Sequence, residues 1–306
     1  MRALSFAAEP GWRFSKCTWG IMYKSRGEAE LTSAAKAIAE HGIALVDDVY
    51  SVNELAAINA AMTPLFRGRS GEARSYVRPD DMLEAGILHR ILSPAMRDVL
   101  LSIVPDPVLY HFHAYEIAGN SSRSHIFADQ LGGWHRDPDS EYFARDPTHV
   151  SVFVYLSDVG DEDGAFEFSS QQPSVPLRSS SPAVTMTGPV GMSFIWHRGF
   201  YHRASPNRGP RRRRLLKISI QPNSFRSAHL SNDFFRKVTE QVPRGDVMLD
   251  LLLGRYQGRE APRLRPSRPV RPERPEASRT INVPNDVLEQ MRKREKAEAG
   301  RPVSYD

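Results

Sequence analysis

The chain contains little cysteine and no long apolar run. Cys17 is the only cysteine among 306 residues, so no intrachain disulfide can form. No stretch reaches the roughly 18 consecutive apolar residues that a membrane-spanning helix needs. Charged residues also interrupt positions 1–16, where a secretory signal would have an apolar core. These absences exclude a disulfide-stabilised secreted scaffold and predict a cytoplasmic protein that does not span a membrane.

Positive charge exceeds negative charge by a small margin, with 41 Lys and Arg against 36 Asp and Glu. Much of the excess lies in the run Arg211–Arg214 and beyond Arg259, instead of being spread over one folded face. This distribution disfavours nucleic-acid binding, and one arginine bound to a carboxylate with solvated neighbours explains the run equally well. The expected partner is a small-molecule substrate. The sequence does not indicate an oligomeric state.

Composition divides the chain into three parts. Residues 1–26 show no clean periodicity and are predicted to be an irregular lead-in. Residues 27–258 have the apolar periodicity of a folded domain. After Gly258, prolines alternate with arginines, and such a stretch cannot bury a core. Residues 259–306 are therefore predicted to form a disordered tail.

Helices are predicted near both ends of the folded part. The segment Leu31–His41 has apolar residues on one face and is followed by Gly42, a typical helix stop. Ser51 and Glu54 have the spacing of a capping box for a second helix, which is predicted to end before Pro64. Two further helices are predicted to close the domain, at Asn232–Val242 and Asp246–Leu253.

The region between these helices has the texture of a β-protein. Short β-rich runs alternate with segments of Gly, Pro, Asn, Asp and Ser, which favours a sandwich or jelly roll over a parallel α/β sheet. The fold class predicted is thus mainly β with flanking helices. The predicted strands are Ile43–Val46, Val108–Ile117, His149–Leu156, Ala165–Phe168, Met192–Trp196 and Leu215–Ile220.

The pair His135 and Asp137 is the sharpest chemical feature. Residues i and i+2 of a strand point to one face, so an imidazole and a carboxylate there can bind one metal ion. Two histidines and one carboxylate are the usual ligands of non-haem Fe(II) oxygenases. His202 is the predicted third ligand, and His197 competes with it. The pair alone is a weak indication, because many proteins contain one by chance.

An arginine downstream strengthens this interpretation. Arg213 follows His202 by eleven residues, at the start of a predicted strand. A guanidinium binds a carboxylate with two parallel donors and so suits the distal end of a dicarboxylate co-substrate. The equivalent partner of His197 is Arg208, within a turn between Pro206 and Pro210. Spacing favours Arg213, whereas strand alternation would put Arg212 or Arg214 on the apolar face.

These motifs together resemble the phytanoyl-CoA dioxygenase superfamily. The shared pattern consists of the His135–Asp137 pair, a strand, the acidic turn Asp158–Gly164, the distal His202–Asn207 stretch and Arg213. The resemblance spans roughly Leu31 to Pro222 and implies a double-stranded β-helix, the jelly-roll or cupin-like fold. It implies that residues 27–258 are a dioxygenase domain using Fe(II), 2-oxoglutarate and O₂. The products would be succinate, CO₂ and usually a hydroxylated substrate.

The resemblance also implies roles for single residues. His135, Asp137 and His202 would be the catalytic iron ligands, and Arg213 would hold the distal carboxylate of 2-oxoglutarate. Phe153 stands sixteen residues after Asp137, where the family often has an aromatic residue. The family often has a serine two residues after the distal histidine. Ala204 stands there in this chain, and the adjacent Ser205 is predicted to assist in cofactor binding.

Other interpretations stay open on the sequence alone. A different cupin-type metalloenzyme would keep the ligands without needing the arginine, and a non-catalytic binding protein could share the fold. Within the oxygenase reading, a carboxylate at Asp137 favours hydroxylation or desaturation over halogenation, because no position is vacated for chloride. His111, His113 and Tyr115 alternate along one strand and face either the barrel interior or the outside.

Overall fold

Two antiparallel β-sheets form the framework of the fold. A computed structural model describes residues 28–46, 49–67, 73–104, 107–122, 133–137, 149–171, 177, 181–223, 238–255 and 279–280. The strands are β1 Ile43–Val46, β2 Arg74–Val77, β3 Pro107–Ile117, β4 Val150–Tyr155, β5 Phe166–Ser169, β6 Pro182–Met186, β7 Ser193–His197, β8 His202–Ala204, β9 Arg213–Pro222 and β10 Arg279–Thr280. The helices are α1 Glu28–His41, α2 Val52–Arg67, α3 Pro79–Glu84, α4 Leu88–Ile91, α5 Pro94–Ile103 and α6 Val247–Leu252.

The strand order identifies the fold as a double-stranded β-helix. The larger sheet has the order β1-β7-β4-β9-β3-β2, and the smaller sheet has the order β10-β6-β5-β8. Their facing sides share one apolar cluster, in which residues of the larger sheet such as Phe153 and Trp196 pack with Phe166 and Phe168 of the smaller one. The mainly β fold class and its jelly-roll core are therefore confirmed. Beyond the predicted strands, the structure adds β2, β6, β8 and β10.

The larger sheet is buried on both of its faces. On β9, Leu216, Ile218 and Ile220 belong to a cluster shared with the helices, whereas Leu215 belongs to the cluster between the sheets. Alternation of apolar residues therefore does not identify a solvent side on this strand. The consequence is that odd-numbered residues of β9, Arg213 among them, point toward the barrel interior.

The helix boundaries agree in part with the sequence predictions. Gly42 ends α1 with a φ of 77°, and a Cβ there would lie 2.7 Å from Phe168. The capping box is present, because the Ser51 amide donates to Glu54 and the Glu54 amide donates to Ser51 Oγ. Residues 238–241 are helical and Asp246 caps α6, while residues 232–237 of the predicted helix lie outside the described residues.

The predicted end of α2 before Pro64 is wrong. The helix continues through Pro64 to Arg67. Proline inside a helix costs about 3 kcal/mol, since it removes one backbone hydrogen bond and crowds the preceding turn. The last turn compensates by burial, because Phe66 is 1% exposed within the helix-side core. Thr63 Oγ1 also donates to the Asn59 carbonyl at 2.7 Å.

Two arginines of the run Arg211–Arg214 bind the same buried acid. Glu116 on β3 receives hydrogen bonds from Arg212 at 3.0 Å and from Arg214 at 2.6 Å. Arg214 also donates to Thr63 of α2 at 3.0 Å. These two arginines therefore join β9 to β3 and α2 on the helix side of the sheet, and they do not reach the barrel interior.

The domain boundaries remain a proposal: a lead-in at 1–26, a dioxygenase domain at 27–258 and a tail at 259–306. Within the predicted tail, the structure describes Arg279 and Thr280, which pair with Ala183 and Pro182 at the edge of the smaller sheet. In the described part of the chain, no helix combines the length and apolar character required to cross a membrane.

Candidate metal centre

The three predicted ligands come together in the structure. His135 and His202 form an antiparallel bridge, with backbone hydrogen bonds of 3.0 and 2.9 Å between them. Two residues on, Asp137 brings its Oδ1 to 3.8 Å from His202 Nε2. One ligand atom from each of the three residues lies within 4.8 Å of the other two. This is a set of donors that can hold a single metal ion.

Backbone carbonyls orient both imidazoles for metal binding. His135 Nδ1 lies 2.8 Å from the Gly133 carbonyl, and His202 Nδ1 lies 2.9 Å from the Phe200 carbonyl. A carbonyl oxygen only accepts, so each Nδ1 must carry the hydrogen and donate it. Each Nε2 then keeps its lone pair for a metal. A metal-binding histidine usually donates its other ring N–H in this way, to a carbonyl or a carboxylate. The donor set thus fits a divalent iron ion.

The local electrostatics favour unprotonated ligands. Burial lowers the pKa of His202 well below its ordinary value, and the adjacent His135 lowers it further. Neutral imidazole is the form that binds metal, so the ligand is available without first losing a proton.

Arg198 positions the carboxylate ligand. Its Nε donates to Asp137 Oδ2 at 2.5 Å, while the Asp137 amide donates to the Arg198 carbonyl at 3.4 Å. The two side chains are 11% and 12% exposed. Burial lowers the pKa of Arg198 to about 9, so the guanidinium still carries its charge at neutral pH. Oδ2 is thereby occupied, and Oδ1 is the oxygen that lies 3.8 Å from His202 Nε2.

We expect Arg198→Ala to weaken Fe(II) binding by roughly 10- to 100-fold, the range typical of losing a group that orients a metal ligand. Arg198→Lys should recover part of that loss, because a cation would remain beside Asp137. Anaerobic calorimetric titration with Fe(II) measures the affinity. Arg208→Ala is the matched control, since Arg208 is 61% exposed and 4.0 Å from Glu162. Equal affinity in the Arg198 and Arg208 variants would contradict this role.

A cavity of about 430 Å³ opens beside the three ligands. This volume lies within the range of small-molecule sites. The larger sheet supplies one wall and the smaller sheet the other. The described residues that line it are Arg74, Tyr76, Arg78, Pro79, His111, His113, Tyr115, His135, Asp137, Phe153, Phe166, Trp196, His202, Arg203, Ala204 and Lys217.

The two predicted cofactor residues other than Arg213 differ in position. Phe153 lies on the cavity wall, with its ring packed edge-on against Phe166 and Trp196. Ser205 is not among the described residues that line the cavity. Its hydroxyl donates to the Ala165 carbonyl at 3.0 Å. Ala204 thus lines the cavity, whereas the Ser205 hydroxyl is bound to the backbone just before β5 of the smaller sheet.

Arg213 lies behind the cavity wall. Its side chain is 1% exposed and its Nη2 donates at 3.3 Å to the hydroxyl of Tyr115, which lines the cavity. Nη1 donates to the Gly164 carbonyl. Nε has no hydrogen-bond partner, and no carboxylate of the described residues pairs with this guanidinium. A buried cation without an acidic partner is costly, which makes Arg213 a candidate receptor for a ligand carboxylate.

His197 is directed away from the three ligands. It ends β7 two residues after Ile195, which packs in the helix-side core, so it lies on that side of the sheet. Its Nδ1 accepts a hydrogen bond from the Gly199 amide at 3.0 Å. The structure thus groups His202, and not His197, with the other two ligands.

For several cavity residues, the sequence left the position undecided or gave no prediction. His111, His113 and Tyr115 line the cavity, which decides between the two faces considered for β3. Lys217 was not predicted, although it follows Arg213 by four residues on one strand and therefore shares its face. Its Nζ lies 5.4 Å from the Trp196 ring and 5.9 Å from the Phe153 ring.

Comparison with protein families identifies the chain. A sequence profile of the phytanoyl-CoA dioxygenase family matches residues 38–215, more than half of the 306 residues. The chain belongs to the phytanoyl-CoA dioxygenase family. The cofactors of this family are iron and 2-oxoglutarate, and the His–Asp–His group can hold the metal. A comparison with curated protein sequences gives no match.

Solved structures of low sequence identity share the fold of this family member. The non-haem α-ketoglutarate-dependent epimerase SnoN from nogalamycin biosynthesis is 19% identical, with a TM-score of 0.50 over 63% of this chain and 81% of its own. EctD from S. alaskensis with bound Fe is 16% identical, with a TM-score of 0.51 over 65% and 78%. AviO1 from Streptomyces viridochromogenes Tue57 is 15% identical, with a TM-score of 0.51 over 65% and 98%.

Proposed function

We propose that this phytanoyl-CoA dioxygenase family member is an Fe(II)- and 2-oxoglutarate-dependent dioxygenase that hydroxylates a small-molecule or acyl substrate. The products would be the hydroxylated substrate, succinate and CO₂, with one atom of O₂ in each of the first two. The observation that carries the proposal is the trio His135, Asp137 and His202, whose two imidazoles present Nε2 to one point. A cytoplasmic location fits this proposal and stays a prediction.

Iron(II) with 2-oxoglutarate and O₂ supplies the oxidising chemistry when bound. The residues of the chain supply position and charge. His135, Asp137 and His202 would occupy three positions of the metal and leave three for co-substrate and O₂. The Asp137 carboxylate would fill the position that a halogenase offers to halide, which favours hydroxylation or desaturation. Arg198 would hold that carboxylate in orientation.

Arg213 is the proposed receptor for the distal carboxylate of 2-oxoglutarate. The support is its burial without an acidic partner among the described residues, together with its contact to Tyr115 at the cavity wall. Phe153 would form an apolar side of the same pocket. Lys217 adds a second positive charge on this face, directly across from Phe153 in the pairing of β4 with β9. By excluding water, the Phe153 ring would strengthen the ionic contact between Arg213 and the carboxylate.

Turnover of 2-oxoglutarate tests the proposal. We expect O₂-dependent formation of succinate by the iron-loaded protein, stimulated by one member of a panel of acyl thioesters, amino acids and secondary metabolites. His202→Ala should abolish it, whereas His197→Ala should retain it, because His197 lies on the other side of the sheet. Equal succinate formation by the two variants would overturn the proposal. So would the absence of succinate from the variants and the intact protein alike, a result that would favour a non-catalytic jelly roll.

A further inference from the structure

The cavity wall formed by β2 and β3 carries two polar groups that the proposed chemistry does not use. Arg74 extends from β2 and His113 from β3, and both line the cavity. Two of the three proposed metal ligands, His135 and His202, instead lie at the smaller sheet, where they form a bridge with each other. The wall with Arg74 and His113 is therefore a part of the site separate from the metal ligands.

Arg74 is held in place by aromatic rings. Its guanidinium carbon lies 4.6 Å from the ring centre of Tyr76 and 4.6 Å from that of Tyr115. Its Nε is buried without a hydrogen-bond partner. No acidic side chain in the described ranges pairs with it. Stacking on the rings fixes the plane of the guanidinium but satisfies none of its N–H groups, so these donors remain available to a ligand.

His113 lies beside it and can act as a second donor. The side chain is 7% exposed and its Nε2 is buried without a hydrogen-bond partner. Its Nδ1 lies 2.5 Å from Nε2 of His111, a contact that requires one hydrogen between the two nitrogens. When His111 donates that hydrogen, His113 carries its own on Nε2 and can donate it to a ligand. The His113 ring also contacts both tyrosines that hold Arg74.

The charges of the residues that line the cavity favour an anionic ligand. Arginine or lysine side chains occupy four lining positions, whereas the single carboxylate among the described lining residues is Asp137, which is bound to Arg198. Arg203 is neutralised by Glu167 at 2.5 Å. Burial and the charges of His111, Lys217 and Arg74 lower the pKa of His113 well below its ordinary value. Lys217 lies on the face proposed for 2-oxoglutarate, so the charge left on the wall formed by β2 and β3 is that of Arg74, which an anion would offset.

We infer that the substrate carries an oxyanion, a carboxylate or a phosphate, and that Arg74 and His113 bind it on the wall formed by β2 and β3. This inference rests on the proposed function, because it takes the metal end of the cavity to be filled by iron and 2-oxoglutarate. The cavity of about 430 Å³ would also contain 2-oxoglutarate, so the space that remains suits a small acid. A bound oxyanion would hold one end of the substrate while the other end lies toward the metal ligands.

Binding of simple probes to the complex with Fe(II) and 2-oxoglutarate, prepared without O₂, tests the inference. The probes are butanoate, hexanoate and benzoate, each compared with its neutral amide, and hexyl phosphate compared with hexanol. Calorimetry gives their affinities for the intact chain and for Arg74→Gln, Arg74→Lys and His113→Phe. Arg90→Gln is the matched control, because Arg90 is exposed on α4. The visible absorption band of iron-bound 2-oxoglutarate shows that the co-substrate stays in place.

We expect at least one anion to bind about tenfold or more tightly than its neutral counterpart, the effect of one charge-assisted hydrogen bond. Arg74→Gln should abolish that preference, His113→Phe should reduce it, and Arg74→Lys should keep part of it. Tighter binding of a carboxylate than of its amide identifies the oxyanion as a carboxylate. Tighter binding of hexyl phosphate than of hexanol identifies it as a phosphate. No preference for any anion, or a preference unchanged in Arg74→Gln, would overturn the inference. So would loss of 2-oxoglutarate binding in Arg74→Gln, since Arg74 would then belong to the co-substrate site.

Failure of the proposed function gives a different result. The absorption band of iron-bound 2-oxoglutarate would then be absent from the intact chain itself. The comparison of acids with amides can still be made on the metal-free protein, where Arg74 and His113 keep the same surroundings. An anion preference that depends on Arg74 in the absence of that band would support the oxyanion site and reject the oxygenase.

Discussion

Asp137→Ala is expected to reduce 2-oxoglutarate turnover to background and to weaken Fe(II) binding by more than roughly 100-fold. The expected loss exceeds the 10- to 100-fold typical of residues that only orient ligands, because a ligand itself is removed. The loss should appear in the metal titration and in succinate formation alike. Asp161→Ala is the control, since Asp161 is an exposed acid in the turn between β4 and β5. Normal turnover in Asp137→Ala would end the interpretation of this trio as a metal centre.

Stability must be separated from metal binding in this experiment. Asp137 is paired with Arg198, and the alanine variant removes that pair from a site where both side chains are largely buried. Breaking such a pair destabilises a protein more than removing an exposed charge does. Asp137→Asn keeps the volume and an oxygen that accepts from Arg198, so its Tm should lie close to that of the intact chain. Metal affinity should still fall sharply in it, because a neutral amide is a poorer ligand than a carboxylate.

The strands were predictable where the residues alone define them. Longer β-rich runs such as the predicted His149–Leu156 are bounded by turn residues, and the structure has a strand at each predicted position. β8 was not predicted, because it is three residues long and contains the polar pair His202 and Arg203. The helices α3 to α5 were also not anticipated. Each is short, and its apolar residues pack into a core whose other side comes from distant parts of the chain.

The site was predictable where its geometry is local. His135 and Asp137 are two residues apart, and the extended backbone between them is enough to bring their side chains to one side. The contact of Arg198 with Asp137 joins residues 61 positions apart, so no local pattern indicates it. Arg74 reaches the cavity only because β2 pairs with β3 in a register that places Tyr76 beside Tyr115. Register of that kind depends on the assembled sheet and cannot be derived from either segment.

The three consecutive arginines at 212, 213 and 214 illustrate the same limit. Alternation with Leu216 and Ile218 suggested that Arg212 or Arg214 faces the apolar side, and the structure agrees that they lie on the helix side. Both faces of the larger sheet are buried, so an apolar neighbour does not show which face lies toward the cavity. Spacing from His202 selected Arg213, the arginine that points into the barrel. The family pattern thus carried information that the local apolar pattern did not.

Arg213→Gln is expected to raise the KM for 2-oxoglutarate by roughly 10- to 150-fold. The range corresponds to one charge-assisted hydrogen bond of about 1.5–3 kcal/mol. The KM of Arg213→Lys should lie between those of Arg213→Gln and the intact chain, because lysine keeps the charge but loses the two parallel donors. Steady-state succinate formation at varied 2-oxoglutarate measures the KM. Iron affinity should change little in both variants, since the described contacts of Arg213 are to Gly164 and Tyr115.

Arg214→Gln provides the matched contrast on the adjacent position. Arg214 contacts the buried Glu116 and Thr63, so its loss should weaken the junction of β9 with β3 and α2 and lower the Tm. The KM for 2-oxoglutarate should stay close to that of the intact chain. Arg212→Gln should have a smaller effect on Tm, because the Arg212 side chain is 35% exposed and that of Arg214 is 24% exposed. If Arg214→Gln raises the KM while Arg213→Gln does not, the co-substrate lies on the helix side of β9, and the proposed role of Arg213 is wrong.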